Sequence, residues 1–392
     1  GARTFLRDER GRLSYGEFWE HGRRLAGTLL EAGYAPGDRV LLVAGNSRWW
    51  PVALAGVTSV GLVAALVNPR LTDAELATAM TAVEAAGVLA DDAVADRLVA
   101  NRGGGPPRGV VAFGEDGVTV RGRHQAWNEL PSVGDRVRAA MAAVRPEQDC
   151  LLQASSGSTG RPKWVAHRHG AVTAKAAVMA FDQGPEDRLL GSIPLYTVFG
   201  LMSGLLSTAA AGGELLIRHH FDAQADYRAL RDERCTLYNS VRSMMLRILE
   251  LPEFDAEALV LRGGILGANL TVDLARTLTD RLGIDTYHGG YGATETLGAV
   301  LRVTGREMIE RRLAACVNIV PGLTSVYAWQ GKIEHSSEYL LFIKAPAANY
   351  GRIEQAILAV HPYELPEIIA VSIDYGLRPY LHWLADSASA SP

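Results

Sequence analysis

The run Ser155-Ser156-Gly157-Ser158-Thr159-Gly160-Arg161-Pro162-Lys163 lies between two apolar, strand-like segments, Cys150-Leu151-Leu152-Gln153-Ala154 and Trp164-Val165-Ala166-His167. That placement constrains the chain more than any other feature. Glycine tolerates φ > 0 and hydroxyls donate to phosphate oxygens, so such a loop lets backbone approach an anion closely. The pattern is not the Walker loop, which needs Gly-Lys-Ser/Thr adjacent at the start of a helix; here Arg161 and Pro162 separate Lys163 from Gly160, and a strand follows. Most Ser/Gly/Thr runs are surface turns that bind nothing. A linker, however, would not normally sit between two apolar strands and carry a single Lys directly after a stiffening Pro. We read Ser155, Ser156, Gly157, Ser158, Thr159, Gly160 and Lys163 as a phosphate-binding loop.

The 150 residues before this loop alternate helix and strand signals. Ser14-Tyr15-Gly16-Glu17 is a capping box, and Phe18, Leu25 and Leu29 follow at helical spacing up to Gly33. Val40-Leu41-Leu42-Val43 reads as a strand buried on both faces. Thr72-Asp73-Ala74-Glu75 opens a second capped helix. This alternation predicts a layered α/β sheet. Arg102 to Arg108, rich in Gly and Pro, is a surface connection.

A second motif is Tyr287-His288-Gly289-Gly290-Tyr291-Gly292-Ala293-Thr294-Glu295. Glycines around an aromatic let a flat base lie against backbone. Thr294 and Glu295 supply a hydroxyl and a carboxylate for phosphate and a hard divalent cation. A carboxylate beside triphosphate needs a bridging cation, and Mg²⁺ is the natural one.

Together these strings resemble the adenylate-forming enzymes: acyl- and aryl-CoA synthetases, luciferases and peptide-synthetase adenylation domains. Leu13 to Glu17, Ala35 to Val40 and Val67-Asn68-Pro69-Arg70-Leu71 resemble the opening of that fold in the same order. The resemblance implies that the loop holds the β- and γ-phosphates of ATP while a carboxylate attacks the α-phosphorus. It implies that Tyr291 stacks on adenine, Thr294 contacts the α-phosphate and Glu295 holds Mg²⁺, with Lys163, Thr294 and Glu295 as catalytic candidates. Gly267 and Ala268 fall on the adenine-side turn, where Leu266 and Asn269 replace the usual Gly and Pro. Pro194-Leu195-Tyr196-Thr197-Val198-Phe199-Gly200 resembles the segment opening the acid pocket, with Thr197 where many members have His. Tyr196, Thr197, Phe199, Asn239 and Gly290 are the pocket candidates, and a small carboxylic acid, with CoA as an acceptor in a second half-reaction, is the implied chemistry. Tyr196 and Phe199 as plain core aromatics is the commoner fate on frequency alone, and Arg242, where a Pro is usual, reads as a solvent-facing helix residue.

A complete member continues to a Thr-Gly-Asp, a hinge and a mobile domain bearing a catalytic lysine. After Glu295 the aspartates are Asp374 and Asp386 and the lysines Lys332 and Lys344, none in that context. From about Arg306 the chain instead resembles the CutA family of small trimeric proteins, through Arg311 to Gly322, Thr324 to Ile333 and His361-Pro362-Tyr363-Glu364-Leu365-Pro366-Glu367. Val317 to Val320, Ser325 to Trp329, Tyr339 to Lys344 and Ile368 to Ile373 read as strands, and Tyr350 to Val360 as a helix. The expected fold is therefore α/β: an adenylate-forming unit over 1–305, incomplete, then a ferredoxin-like α+β CutA-type unit over 306–386 and a disordered tail over 387–392. About ten residues precede the Arg-Arg-Leu string, and at 1.5 Å per residue a helix there would span roughly 15 Å.

The resemblance to CutA implies a homotrimer and a link to divalent cations. Cys316, His361 and Glu367 are ligand types that copper sites use, although Cys316 packing in a core and His361 closing a helix are the commoner roles. The net charge of −4 argues against nucleic acid as a partner. Three dispersed cysteines fit a reducing cytoplasm, and the start at Gly1 shows no secretory leader. The uncharged windows Trp49 to Pro69 and Leu189 to Gly213 are broken by Pro and Gly, so no membrane span is expected. Three readings stay open: an acid-activating ligase impaired by loss of the lysine domain, a non-catalytic CutA-like trimer, and a fusion or deletion product in which neither half works.

Overall fold

The computed structural model describes residues 2–100, 108–155, 163–180, 183–267, 281–282, 287–289, 291–293, 298–301, 312–329, 331–358 and 366–388. The chain divides into two compact units, Gly1–Tyr287 with Gly292–Gly298, and His288–Tyr291 with Ala299–Pro392.

The large unit opens with a hairpin, β1 (Thr4–Asp8) and β2 (Gly11–Ser14), followed by α1 (Tyr15–Glu31). The expected capping box is present: the Ser14 hydroxyl accepts from the Glu17 amide at 3.2 Å, and the Glu17 carboxylate accepts from the Ser14 amide at 2.8 Å. Then come β3 (Arg39–Val43), α2 (Trp49–Thr58), β4 (Val63–Val67), α3 (Asp73–Ala82), β5 (Gly87–Asp91), α4 (Asp92–Ala100), β6 (Val110–Phe113), β7 (Val118–Val120), β8 (Arg123–Gln125) and α5 (Asp135–Ala143). Next are β9 (Asp149–Ser155), β10 (Lys163–Arg168), α6 (His169–Met179), β11 (Arg188–Gly191), a π-helix (Phe199–Leu206), α7 (Ser207–Ala211), β12 (Glu214–Ile217), α8 (Ala223–Asp232), β13 (Leu237–Tyr238), α9 (Arg242–Leu249) and β14 (Gly264–Leu266).

Two sheets form. One has the order β10-β9-β4-β3-β5-β6-β7-β8, parallel from β9 to β6; the other runs β13-β11-β12-β1-β2, parallel except for β2. Along β3, Val40 and Leu42 pack into one core with α1 and α2, while Leu41 and Val43 pack into another with α3 and α4. Burial on both faces is why that strand is apolar throughout. In the second sheet Leu189 and Leu215 face α1 and α2, and Leu190 and Leu216 face α8 and α9. The layering is thus helices, sheet, helices, sheet, helices, as the alternation predicted. The two uncharged windows resolve into α2 with β4, and into β11, the π-helix and α7; among the described residues no helix is long and apolar enough to cross a membrane.

Short strands follow at β15 (Tyr287–Gly289), β16 (Tyr291–Ala293) and β17 (Gly298–Leu301). The small unit then builds an antiparallel pair, β18 (Cys316–Trp329) and β19 (Lys332–Lys344), against α10 (Tyr350–Leu358), with α11 (Arg378–Ser387) beyond. Leu313, Ala314, Ile353 and Ile357 form its core. The expected strands at Val317 to Val320 and Ser325 to Trp329 are one long strand whose register shifts between Val320 and Leu323. Pro321 and Gly322 sit in that shift, since Pro cannot donate to a ladder and Gly accepts irregular backbone. The strand expected at Ile368 to Ile373 does not form. Its backbone has no partner strand among the described residues, although its alternating apolar pattern is that of a strand.

Candidate active site

The carboxyl ends of the parallel strands in both sheets converge, and ligands in open α/β sheets bind beyond such ends. Asn46, three residues past β3, joins them. Its amide donates to the carbonyls of Ile193 and Arg218, both at 3.1 Å, and its side-chain oxygen accepts from the Leu195 amide at 2.8 Å. The chain leaving β11 is thereby held above the end of β3.

The phosphate-loop candidate hangs from this confluence. β9 and β10 pair antiparallel with Ser155 opposite Lys163, so the ladder closes the base of the loop and sets the exposed Lys163 beside Ser155 at its root. Ser156, Gly157, Ser158, Thr159 and Gly160 lie outside the described residues. Two positions before Ser155, Gln153 is 3 % exposed. Its amide donates to the Tyr196 carbonyl at 3.4 Å, and among the described residues its side-chain oxygen has no hydrogen-bond partner. A buried acceptor without a donor is costly, so this oxygen is open to a donor from outside the described residues.

Tyr196 is half-buried, which raises its phenol above the ordinary range, partly opposed by the Arg70 guanidinium. Thr197, at the position where many members carry His, is committed to the turn: its hydroxyl donates to the Pro194 carbonyl at 2.7 Å and accepts from the Gly200 amide at 3.1 Å. The π-helix starts from that turn, and π-turns are frequent at functional sites. Gly200 is required there, because a Cβ would lie 2.2 Å from the Pro194 carbonyl oxygen. Phe199, the first π-helical residue, packs against Gly267, where a Cβ would stand 2.6 Å from the ring.

Two residues expected in different roles, pocket and adenine-side turn, are therefore in contact. Asn239 is 4 % exposed; its amide donates to the Ser203 carbonyl at 2.5 Å and its oxygen accepts from the Ile265 amide at 2.9 Å. It clamps the π-helix to β14. Arg242 is exposed at the start of α9.

Tyr291 and Gly292 lie in β16, described by backbone alone, while Ala268, Gly290, Thr294 and Glu295 lie outside the described residues. In the small unit Cys316 is half-buried with the Lys344 ammonium 3.9 Å from its sulfur, and Glu367 is exposed. His361 lies outside the described residues. Sequence reasoning missed Asn46 and Gln153. The signals were present: Asn46 directly follows an apolar strand and a glycine, and Gln153 is a lone amide in an apolar run.

The sequence pattern of the AMP-binding enzyme family matches residues 1–325, and that of the CutA1 divalent ion tolerance protein matches residues 297–387. The chain belongs to the AMP-binding enzyme family and carries a CutA1 segment. Within the AMP-binding family it is similar to the acyl-CoA ligase sidI of Aspergillus fumigatus, 26% identical over 330 residues, which are 79% of this chain and 56% of that protein. Its CutA1 segment is similar to the divalent-cation tolerance protein CutA of Thermus thermophilus, 46% identical over 88 residues, 22% of this chain and 85% of that protein. The chain spans about half the length of the acyl-CoA ligase relatives it matches. Among solved structures, a benzoate CoA ligase from Burkholderia xenovorans LB400 superposes with a TM-score of 0.66 over 81% of this chain and 64% of that one, at 22% identity. That likeness is one of fold.

Proposed function

We propose that the large unit, with a working boundary near residue 305, activates a small carboxylic acid with ATP, forming an acyl- or aryl-adenylate and pyrophosphate. The observation that carries the reading is the convergence at the strand ends: Lys163 and Ser155 at the root of the loop, Gln153 under Tyr196, and Phe199 against Gly267. The donor set fits a polyphosphate, since an ammonium, four hydroxyls and glycine amides offer donors without a competing carboxylate in the loop. ATP with Mg²⁺ supplies the adenylyl group and the charge neutralisation. In this reading Lys163 and the loop hydroxyls hold the β- and γ-phosphates, Tyr291 faces adenine, Thr294 orients the α-phosphate and Glu295 holds Mg²⁺. The acid lies along the π-helix by Tyr196 and Phe199, excluded from water by the side chains packed there. CoA is proposed as the acceptor that would release the acyl group as a thioester.

Residues 296–392 carry the CutA1 segment where the family's Thr-Gly-Asp, hinge and lysine ordinarily follow, so turnover by this stretch on its own is proposed to be slow. A positive group aimed at a transition state typically contributes about 3 to 4 kcal/mol, or roughly 10² to 10³ in rate. Pyrophosphate exchange into ATP, measured with a panel of aryl and fatty acids, is expected to appear for one acid class and to vanish in Glu295→Ala. Exchange no higher than in that variant for every acid overturns the reading.

A second reading, a CutA-type homotrimer displaying the large unit, is supported by one observation in the small unit. Ile369, Val371, Ile373, Tyr375 and Leu377 are 52 to 95 % exposed along a segment with strand-like alternation and no ladder to any described residue. A second copy pairing along this segment would satisfy both its backbone and its apolar side chains. The two readings are compatible.

A further inference from the structure

A cleft of about 740 Å³ opens between the β1–β2 hairpin, the end of β12 and α8, on the large unit and apart from the residues assigned to acid activation. Five arginines line it, Arg7, Arg10, Arg12, Arg218 and Arg228, with the acids Asp8, Glu9, Asp232 and Glu233. Each acid is already matched. Asp8 pairs with buried Arg48 at 2.6 Å, Glu9 with Arg218 at 2.6 Å, Asp232 with Arg231 at 2.7 Å, and Glu233 with Arg7 at 3.4 Å. Among the described residues, Arg10, Arg12 and Arg228 form no ion pair and no side-chain hydrogen bond. Three exposed guanidinium groups thus line one concave space, Arg12 and Arg228 feeling Glu17, Asp232 and Glu253 only through space, on a chain whose net charge is −4.

The presentation is also rigid. The Asp8 carboxylate accepts from the amides of Arg10 and Gly11 at 2.9 and 3.0 Å, fixing the hairpin turn, and Arg48, itself 8 % exposed, locks Asp8.

We propose that this cleft is a binding site for a phosphate-bearing ligand. The guanidinium fork matches phosphate oxygens in paired hydrogen bonds. A phosphomonoester carries nearly two charges, so it draws on several guanidinium groups at once. The volume falls within the ~300–1,000 Å³ typical of small-molecule sites. The same phosphoryl chemistry is offered by a soluble phosphate compound and by an anionic lipid headgroup.

Hydrogen exchange of the full chain tests this, with inorganic pyrophosphate in one arm and phosphatidic acid–phosphatidylcholine vesicles in the other. The peptides spanning Asp8 to Arg12 and Ala223 to Asp232 are expected to exchange several-fold more slowly in one arm, which names the source. That protection is expected to weaken by at least about tenfold in ligand concentration in Arg10→Ala/Arg12→Ala/Arg228→Ala, the loss of at least one charge-assisted contact. Protection around Ser155 to Lys163 by pyrophosphate is read separately, so failure of the ATP reading leaves the cleft result intact. Cleft peptides unchanged by both probes, or protected equally in the triple variant, overturn the proposal.

Discussion

Gly267 shows how one residue can tie two parts of a site together. Adding a methyl there drives it into the Phe199 ring, and overpacking of this kind costs about 1–3 kcal/mol. Gly267→Ala is expected to lose that much in urea unfolding, and to lose markedly less when combined with Phe199→Ala; equal losses in both backgrounds would show that the two residues do not compete for space. Asp226 makes a different point. It is fully buried, its carboxylate accepts from Ser192 at 2.5 Å and Tyr238 at 3.2 Å, Arg218 lies 3.5 Å away, and burial pushes its carboxyl up to about 6. A raised carboxyl pKa means that the folded state binds the proton more tightly than the unfolded chain. Stability from this group is therefore greatest below the unfolded value near 4 and falls as pH rises towards 6. Relative to the non-titrating Asp226→Asn, the wild type is expected to lose on the order of 3 kcal/mol between about pH 3 and about pH 7 and to run parallel above that. A pH-independent difference would place the carboxyl pKa at its ordinary value.

At the scale of elements, α1 shows local sequence acting by itself. The Ser14 and Glu17 reciprocal bonds are set by spacing alone, and the Ser14 amide and hydroxyl hold the Glu17 carboxyl below its usual range. Ser14→Ala is expected to cost about 1 kcal/mol at pH 7, and the penalty should shrink in acid as Glu17 is protonated. The segment from Ile368 to Ile373 shows the opposite. Its alternation is that of a strand, but a strand needs a neighbour, and the described residues of the small unit supply none. Between these extremes stands the π-helix. Its apolar run Gly200 to Leu206 is legible as buried, but the widened turn depends on Thr197 capping it, Gly200 approaching Pro194 and Asn239 gripping Ser203. Asn239→Leu is expected to leave the Ile265 amide unsatisfied, at about 1–3 kcal/mol in urea unfolding.

For the whole molecule, the test of assembly is mass in solution. The full chain is expected to sediment at three times the 42.1 kDa of one chain, and Ile369→Lys with Val371→Lys to reduce it to one; a wild-type monomer would remove the trimer. The layered architecture, the capped helices and the loop between paired strands were all readable from the sequence, because each depends on neighbours a few residues apart: periodicity, caps, glycines and hydroxyls. Asn46 and Gln153 were not singled out, since an amide's role depends on which distant carbonyls reach it, and those of Ile193, Arg218 and Tyr196 lie 147, 172 and 43 residues away in the chain. The sequence alone determined which chemistry the run from Ser155 to Lys163 and the segment from Tyr287 to Glu295 can offer, because residue types carry donors, acceptors and charge wherever they sit. Only the tertiary structure decided that Phe199 meets Gly267, that Asn239 serves the backbone, and that three arginines around the first hairpin and α8 form no close ion pair among the described residues. Contacts and charge compensation are properties of packing, and packing joins residues that the chain keeps apart.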